Sequence, residues 1–255
     1  MEIQEKIDRF NVLQKKSNLE EKEKQEINHL ANEFLAITKQ AYDDISINYS
    51  CADRTNVMDS IIQVYNTLFE MAEEAMNRPI EKMTVLDVGA GTGKDIKYMY
   101  SRGIKKVIGL DNSDGMISLL KELEKRKEIP ENSFVKGDML KLPFPNCTFD
   151  IVRQNASLLH IPITTKGEML DKAMQENNRV LKQNGILFIS VKKGKGIQFI
   201  DTKEGFARRI FQMHTVESIT KVIEENDFEI LKRIEIKEER QGTNIDWINI
   251  IAKKI

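Results

Sequence analysis

The sequence predicts an α/β fold: a mostly parallel sheet covered by helices on both faces, with an antiparallel last strand and a helical extension in front. Three observations carry this. From residue 84 onward short apolar runs alternate with helical stretches, the strand-helix-strand texture that builds a parallel sheet. A glycine-rich stretch, VLDVGAGTGKD at 85–95, sits where a strand should turn into a helix. Two apolar runs, 228–236 and 244–252, flank Gln241-Gly242, a hairpin signal that sets the final strand against its neighbour.

Taken in order, residues 1–41 are nearly all charged or helix-forming, and neither glycine nor proline occurs before Pro79. Ser17 followed by Glu20 has the spacing of a capping box, so a short first helix should end there and a second begin. Ile27, Leu30, Phe34, Ile37 and Ala41 recur at steps of three and four, giving one apolar stripe that must be buried. Docking on the chain's own domain is the simpler reading. The heptads do not persist far enough for a coiled coil, although oligomerisation through the N-terminal helices stays open. The division that follows is a helical extension over 1–50, read as a lid, and a ligand-binding domain over 51–255. A further helix over 57–76 buries Val57, Ile61, Val64, Leu68, Met71 and Ala75 and is stopped by Pro79. Strands are expected at 84–88, 106–110, 134–135, 149–152 and 186–191. Thr165 with Glu168 makes a second capping box, opening a helix to about residue 182 with Gly185 as the left-handed exit. A helix capped near Thr215 precedes the final hairpin.

The chain has 255 residues, enough for one large domain with an added segment at about 150 residues per domain. Its 39 basic and 40 acidic residues leave a net charge of -1, so no global field selects for nucleic acid or an anionic membrane. The apolar runs are strand-sized, too short to span a bilayer, and the start MEIQEKIDRF lacks the core of a secretory signal. Cys51 and Cys147 stand alone, which suggests neither a disulfide framework nor a metal site. A cytoplasmic protein without a metal is the plain expectation.

Three ligands compete for the glycine turn. A phosphate-binding P-loop requires G-x-x-x-x-G-K-[ST]; here Gly89 to Gly93 is one residue too short, and Asp95 stands where the hydroxyl should be. A nicotinamide fingerprint would put a small residue at position 94, where the chain has Lys94; that reading is weakened and stays open. The third explains Asp87. A carboxylate just before the turn would repel a pyrophosphate but suits a ligand bearing an ammonium and no phosphate, and S-adenosylmethionine is such a ligand. Gly89, Gly91 and Gly93 would then let the backbone approach it closely. Asp111 ends the second strand, 18 positions after Gly93, where a carboxylate can accept both ribose hydroxyls. Asp138 follows the third strand and can accept from the adenine amino group, with Met139 against the ring.

The stretches VLDVGAGTG, VIGLDNSDGMI, GDMLKLPFPNCTFDIV and NNRVLKQNGILFIS resemble the class I S-adenosylmethionine-dependent methyltransferases, in particular the small-molecule branch similar to the ubiquinone and menaquinone biosynthesis enzymes. The resemblance covers about residues 43–251. It implies a Rossmann-like sheet of seven strands, a cofactor pocket lined by Gly89, Gly91, Gly93, Asp111, Asn112, Met116, Asp138 and Met139, and methyl transfer to oxygen or nitrogen of a small metabolite. Gln183-Asn184-Gly185 departs from the family's proline and glycine, a change that asparagine tolerates. Two rival functions remain: an RNA methyltransferase, against which the balanced charge speaks, and a non-catalytic S-adenosylmethionine-binding regulator.

His160, just after the fourth strand in RQNASLLHIPI, is the candidate general base, with a capping or partly buried structural histidine as its alternative. Asn155 would meet the cofactor through its backbone. Tyr42 and Tyr49 resemble the aromatic pair that this branch places in a lid over the cofactor, or they pack the second helix onto the sheet. Arg54 is a candidate for a cofactor or substrate carboxylate as well as a surface arginine. His29 reads as solvated and His214 as a cap or surface residue. Lys192, Lys193 and Lys195, with Arg208 and Arg209 following, read as a solvated basic loop or as a recogniser of an acidic acceptor or RNA phosphate; no aromatic residues interleave the lysines, as single-stranded RNA binding would require.

Overall fold

The structure, a computed structural model, describes residues 2–49, 57, 59–164, 167–201, 208–240 and 243–255. Helices α1 (Ile3–Gln14), α2 (Glu21–Tyr49) and α3 (Asp59–Met76) lead into β1 (Thr84–Val88), α4 (Lys94–Ser101), β2 (Lys106–Asp111), α5 (Asp114–Lys125), β3 (Phe134–Lys136) and β4 (Phe149–Asn155). Then come α6 (Glu168–Val180), β5 (Leu181–Lys192), β6 (Ile197–Asp201), β7 (Arg208–Gln212), α7 (Val216–Glu224), β8 (Phe228–Arg240) and β9 (Thr243–Lys254). A seven-stranded sheet runs β3-β2-β1-β4-β5-β9-β8. Its pairs are parallel except the two made by β9. The last strand is therefore the antiparallel one, as the hairpin signal predicts; Gln241-Gly242 themselves lie outside the described residues.

Side chains alternate across each strand, so the sheet feeds two cores. Leu86, Val88, Val152, Leu187 and Ile189 meet Leu170, Ala173 and Met174 of α6 and Ile219 and Ile223 of α7 on one face. Val85, Val107, Ile151, Ile186 and Phe188 meet Val64, Tyr65 and Leu68 of α3 and Ile96 and Met99 of α4 on the other. Burial on both faces explains why these strands read as continuous apolar runs.

The departures from expectation are local. The junction before α2 lies three residues beyond the predicted box: Glu23, not Glu20, reaches back, accepting from the Glu20 N–H at 3.3 Å while pairing with Lys16 at 2.5 Å. The acid that also meets a lysine wins the cap. Thr165 lies outside the described residues, and Gly167 at φ +65° is the residue that precedes α6. That helix ends at Val180, and Asn184, at φ +61°, takes the left-handed position predicted for Gly185. Gly185 serves clearance instead, since a Cβ there would sit 2.8 Å from the Lys182 carbonyl oxygen.

Beyond the seven strands, β6 and β7 form a separate two-stranded sheet. The sequence predicts a basic loop here because charges dilute the alternation of apolar residues. Its Ile197 and Ile210 join Ile7, Phe10 and Leu13 of α1 and Ile27, Leu30 and Phe34 of α2 in a third core. The apolar stripe of α2 is thus buried on its own chain. The Asn11 amide exchanges both its hydrogen bonds with the Ile197 backbone, and the Gln14 amide donates to the Gln212 side chain at 3.0 Å, fixing the register of α1 on the hairpin. Among the described residues no helix is long and apolar enough to cross a membrane.

Candidate active site

The turn after β1 is built on three left-handed glycines, Gly89, Gly91 and Gly93. The N–H groups of Gly89 and Ala90 both donate to the Leu110 carbonyl, at 2.7 and 3.0 Å, which ties the turn to the end of β2. A Cβ on Gly89 would overlap Ser157, and one on Gly93 would press within 2.8 Å of Leu120 and Leu123; these two glycines serve internal packing. Gly91 differs. A Cβ there meets nothing within 4 Å, so its missing side chain leaves an open cradle at the carboxyl edge of the sheet.

Asp111 closes one side of that cradle. Its two oxygens accept from the Gly91 and Ser113 N–H groups, each at 2.9 Å, and each oxygen keeps lone-pair capacity for a further donor. Burial pushes its pKa up while these amides pull it down. Asn112 beside it is exposed. Asp138 is exposed, with one oxygen accepting from the Leu140 N–H at 2.9 Å, and Met139 is half-buried against the core. Met116 is buried against Ala41 and Ile45 of α2. Asn155 ends β4 beside Asp95, whose carboxyl it helps to pull down.

Asp87, expected from the sequence to face the ligand, is instead paired within the protein. It stands opposite Arg153 across the β1–β4 ladder, and the Arg153 guanidinium pairs with Asp87 Oδ1, with Asp95 at 3.0 Å and with the Tyr65 hydroxyl. The Tyr65 hydroxyl donates to Asp95 Oδ1 at 3.1 Å, and its ring lies 4.6 Å from the guanidinium. Asp87 and Arg153 are each only 1% exposed. Burial pushes both carboxyls up, Asp87 most strongly because Asp95 and Asp111 repel it further, and pulls the Arg153 guanidinium down. Asp87 Oδ2 is left buried with no hydrogen-bond partner. Sequence reading missed Arg153; the signal was a cation inside the otherwise apolar run FDIVRQN. Because the buried Asp95 fills the first turn of α4, the helix end that would hold a pyrophosphate already carries a negative charge. The open cradle and the acid at the helix end suit a phosphate-free ligand.

Helix α2 lies over this edge. Asp43 accepts from the Ser113 hydroxyl at 2.7 Å and the Gly115 N–H at 3.1 Å, so a side chain of the extension caps α5 just beyond Asp111. One residue earlier, Tyr42 hydrogen-bonds His160 Nε2 at 2.9 Å. His160 Nδ1 lies 2.9 Å from the Ile210 carbonyl, which can only accept. Nδ1 therefore carries the proton, and the Nε2 lone pair takes the Tyr42 hydroxyl. The Tyr49 side chain and Arg54 lie outside the described residues.

Burial, reinforced by Arg209 and Lys192, pushes His160 down to about 4, and burial alone does the same to His214. His214 is not the surface residue expected: it is 1% exposed, with neither ring nitrogen hydrogen-bonded. Between pH 6.5 and 4 the unfolded chain binds protons that these folded histidines refuse, so stability falls as pH falls through that window. Each should cost roughly 2–3 kcal/mol by pH 4. His214→Leu should remove about half of the combined loss, read from urea unfolding at pH 7 and 4.5; an unchanged pH difference would contradict this.

Comparison with known proteins agrees with this geometry. Residues 86–189 match a family model described as a methyltransferase domain. The chain is 34% identical over 107 residues to sterol 24-C-methyltransferase of Aspergillus fumigatus, covering 42% of this chain and 27% of that protein. It is 30% identical over 125 residues to the eEF1A lysine and N-terminal methyltransferase of Mus musculus, covering 48% of this chain and 18% of that one. The chain thus spans about a quarter or less of the length of these two relatives. Among solved structures it superposes on Burkholderia thailandensis 1,6-didemethyltoxoflavin-N1-methyltransferase, bound to 1,6-didemethyltoxoflavin and S-adenosylhomocysteine, with a TM-score of 0.61 at 16% identity over 88% of this chain and 90% of that one. That likeness speaks for the fold. The finer resemblance to ubiquinone and menaquinone enzymes rests on the motifs alone.

Proposed function

We propose that this chain, a class I S-adenosylmethionine-dependent methyltransferase by its domain at 86–189 and its sheet order, methylates an oxygen or nitrogen of a small-molecule acceptor. The observation that carries the reading is the Gly91 cradle, open above and bordered by the carboxylate of Asp111, which accepts from the Gly91 N–H. In this reading the free lone pairs of Asp111 accept the ribose hydroxyls, and Asp87, held by Arg153, braces the glycine turn from beneath. Asp138 receives the adenine amino group beside Met139, and Met116 and Tyr42 border the pocket from α5 and α2. When bound, S-adenosylmethionine supplies a methyl group activated on a positively charged sulfur. The protein then has to align the acceptor and exclude water, a task suited to α2, held over the crevice by Asp43.

His160 serves here as an orienting group for Tyr42 more than as a strong base. A histidine that titrates near 4 is neutral at pH 7 but takes up a proton weakly, so the acceptor atom must be nucleophilic as it arrives. The test is incubation with methyl-labelled S-adenosylmethionine and separated small-molecule, RNA and protein fractions of a cell extract. Label is expected in small molecules. Label confined to RNA or protein, or no transfer at all with cofactor bound, would overturn the assignment.

A further inference from the structure

Helix α5 starts just after Asp111, and its first turn is completed from α2, 70 residues earlier. Ser113 caps the helix, its hydroxyl oxygen accepting from the Met116 N–H at 3.1 Å. That hydroxyl donates in turn to Asp43 Oδ1 of α2 at 2.7 Å, and the same carboxylate oxygen accepts from the Gly115 N–H at 3.1 Å. Asp43 Oδ2 is held by the Lys39 ammonium at 2.8 Å. Of the amides that a helix start leaves open, one is therefore satisfied from within the turn and another by α2.

Gly115 makes this approach possible. It lies inside α5 and outside the left-handed region, so its backbone does not call for glycine, and glycine weakens a helix. A Cβ there would stand 2.4 Å from Ser46 Oγ, 2.6 Å from Ser46 Cβ and 2.9 Å from the Asp43 carbonyl oxygen. The missing side chain is what lets α2 reach Ser113. From Ser113 the contact continues to the crevice: its N–H donates to Asp111 Oδ1 at 2.9 Å while the Gly91 N–H holds Oδ2 at 2.9 Å. The carboxylate is clamped between the glycine turn and Ser113. Because Ser113 is fully buried, removing Asp43 strands its hydroxyl without an acceptor and leaves the Gly115 amide open, which destabilises the turn unless it moves. We infer that Asp43 is a positioning residue for the ribose: acting through Ser113, it sets the direction in which Asp111 offers its lone pairs, and Gly115 supplies the clearance. The inference rests on the reading that Asp111 takes the ribose hydroxyls and deepens it, since the helical extension then helps to set cofactor affinity as well as to cover the crevice.

The readout is the ratio of dissociation constants for S-adenosylhomocysteine and its 2′-deoxy and 3′-deoxy analogues, measured by calorimetry. A change that only loosens the pocket weakens all of these ligands together and leaves the ratio alone. Wild type should prefer the intact ribose by about tenfold or more, the scale of a hydrogen bond to a charged group, and Asp111→Ala should erase the preference. Asp43→Ala should cut it by about threefold or more. Gly115→Ala should do the same although alanine favours the helix, and Asp43→Asn, which keeps the accepting oxygen, should retain it. A preference unchanged in either Asp43→Ala or Gly115→Ala overturns the inference, as does one lost equally in Asp43→Asn; should Asp43→Ala not fold, Gly115→Ala decides alone. Wild type that binds S-adenosylhomocysteine with no ribose preference would instead defeat the Asp111 reading, and wild type that does not bind it at all the methyltransferase reading, each taking this inference with it.

Discussion

Replacing Arg153 by leucine is expected to lower the unfolding free energy by about 3–5 kcal/mol, the cost of leaving buried charges without their partner. The guanidinium is held by Asp87, Asp95 and Tyr65 in a place water does not reach. Without it two carboxylates face each other and Asp111 across a low-dielectric gap. The sign of the pH response identifies the mechanism. In the variant the folded carboxyls, already raised by burial, also lose the cation beside them and hold protons more firmly, so the stability gap to wild type should narrow as pH falls from 7.5 to 5.5. The two buried histidines act alike in both proteins and cancel in that gap. Asp87→Asn with Asp95→Asn should restore most of the loss in the Arg153→Leu background, because replacing a whole buried network is far cheaper than breaking it. Urea unfolding at both pH values reads all of this, and a loss below about 1 kcal/mol with no narrowing of the gap would mean that the pairs contribute little.

Where the hydrophobic pattern decides the outcome, the sequence was readable. The strands, the parallel order and the antiparallel end follow from apolar runs buried on two faces, and the glycine turn follows from a strand running directly into a helix. What stayed hidden was set by partners distant in the chain. The β6–β7 hairpin looks like a charged loop because its apolar residues complete a core with α1 and α2, which lie more than 150 residues earlier. Asp87 read as a lone acid because Arg153 reaches it only through strand register. His214 looked like a surface cap, since nothing local shows that the hairpin and β5 enclose it. The same limit divides the candidate site: the strand-end residues Asp111 and Asp138 are visible in the sequence as acids after apolar runs, whereas the Tyr42–His160 contact forms only once α2 folds over the sheet edge.

Asp111→Ala is expected to weaken S-adenosylhomocysteine binding roughly ten- to hundredfold, since hydrogen bonds to a charged group contribute about 1.5–3 kcal/mol. The carboxylate has two tasks, and the experiment has to separate them. It already satisfies the Gly91 and Ser113 N–H groups, so its removal should also destabilise the ligand-free protein by about 1–3 kcal/mol. Asp111→Asn keeps an acceptor for one amide and should recover part of the stability while recovering little affinity, because ribose hydroxyls would then meet an amide donor. Asp138→Ala is the contrast. Its exposed carboxylate makes one local turn contact, so stability should not move and a loss of affinity would report on the ligand alone. Thermal midpoints with and without S-adenosylhomocysteine supply both readouts, since a ligand bound only to the folded state raises the midpoint in proportion to its occupancy. If Asp111→Ala were stabilised by the ligand as strongly as wild type, the carboxylate would be a brace for the glycine turn and nothing more, and the ribose would have to be held from another strand end.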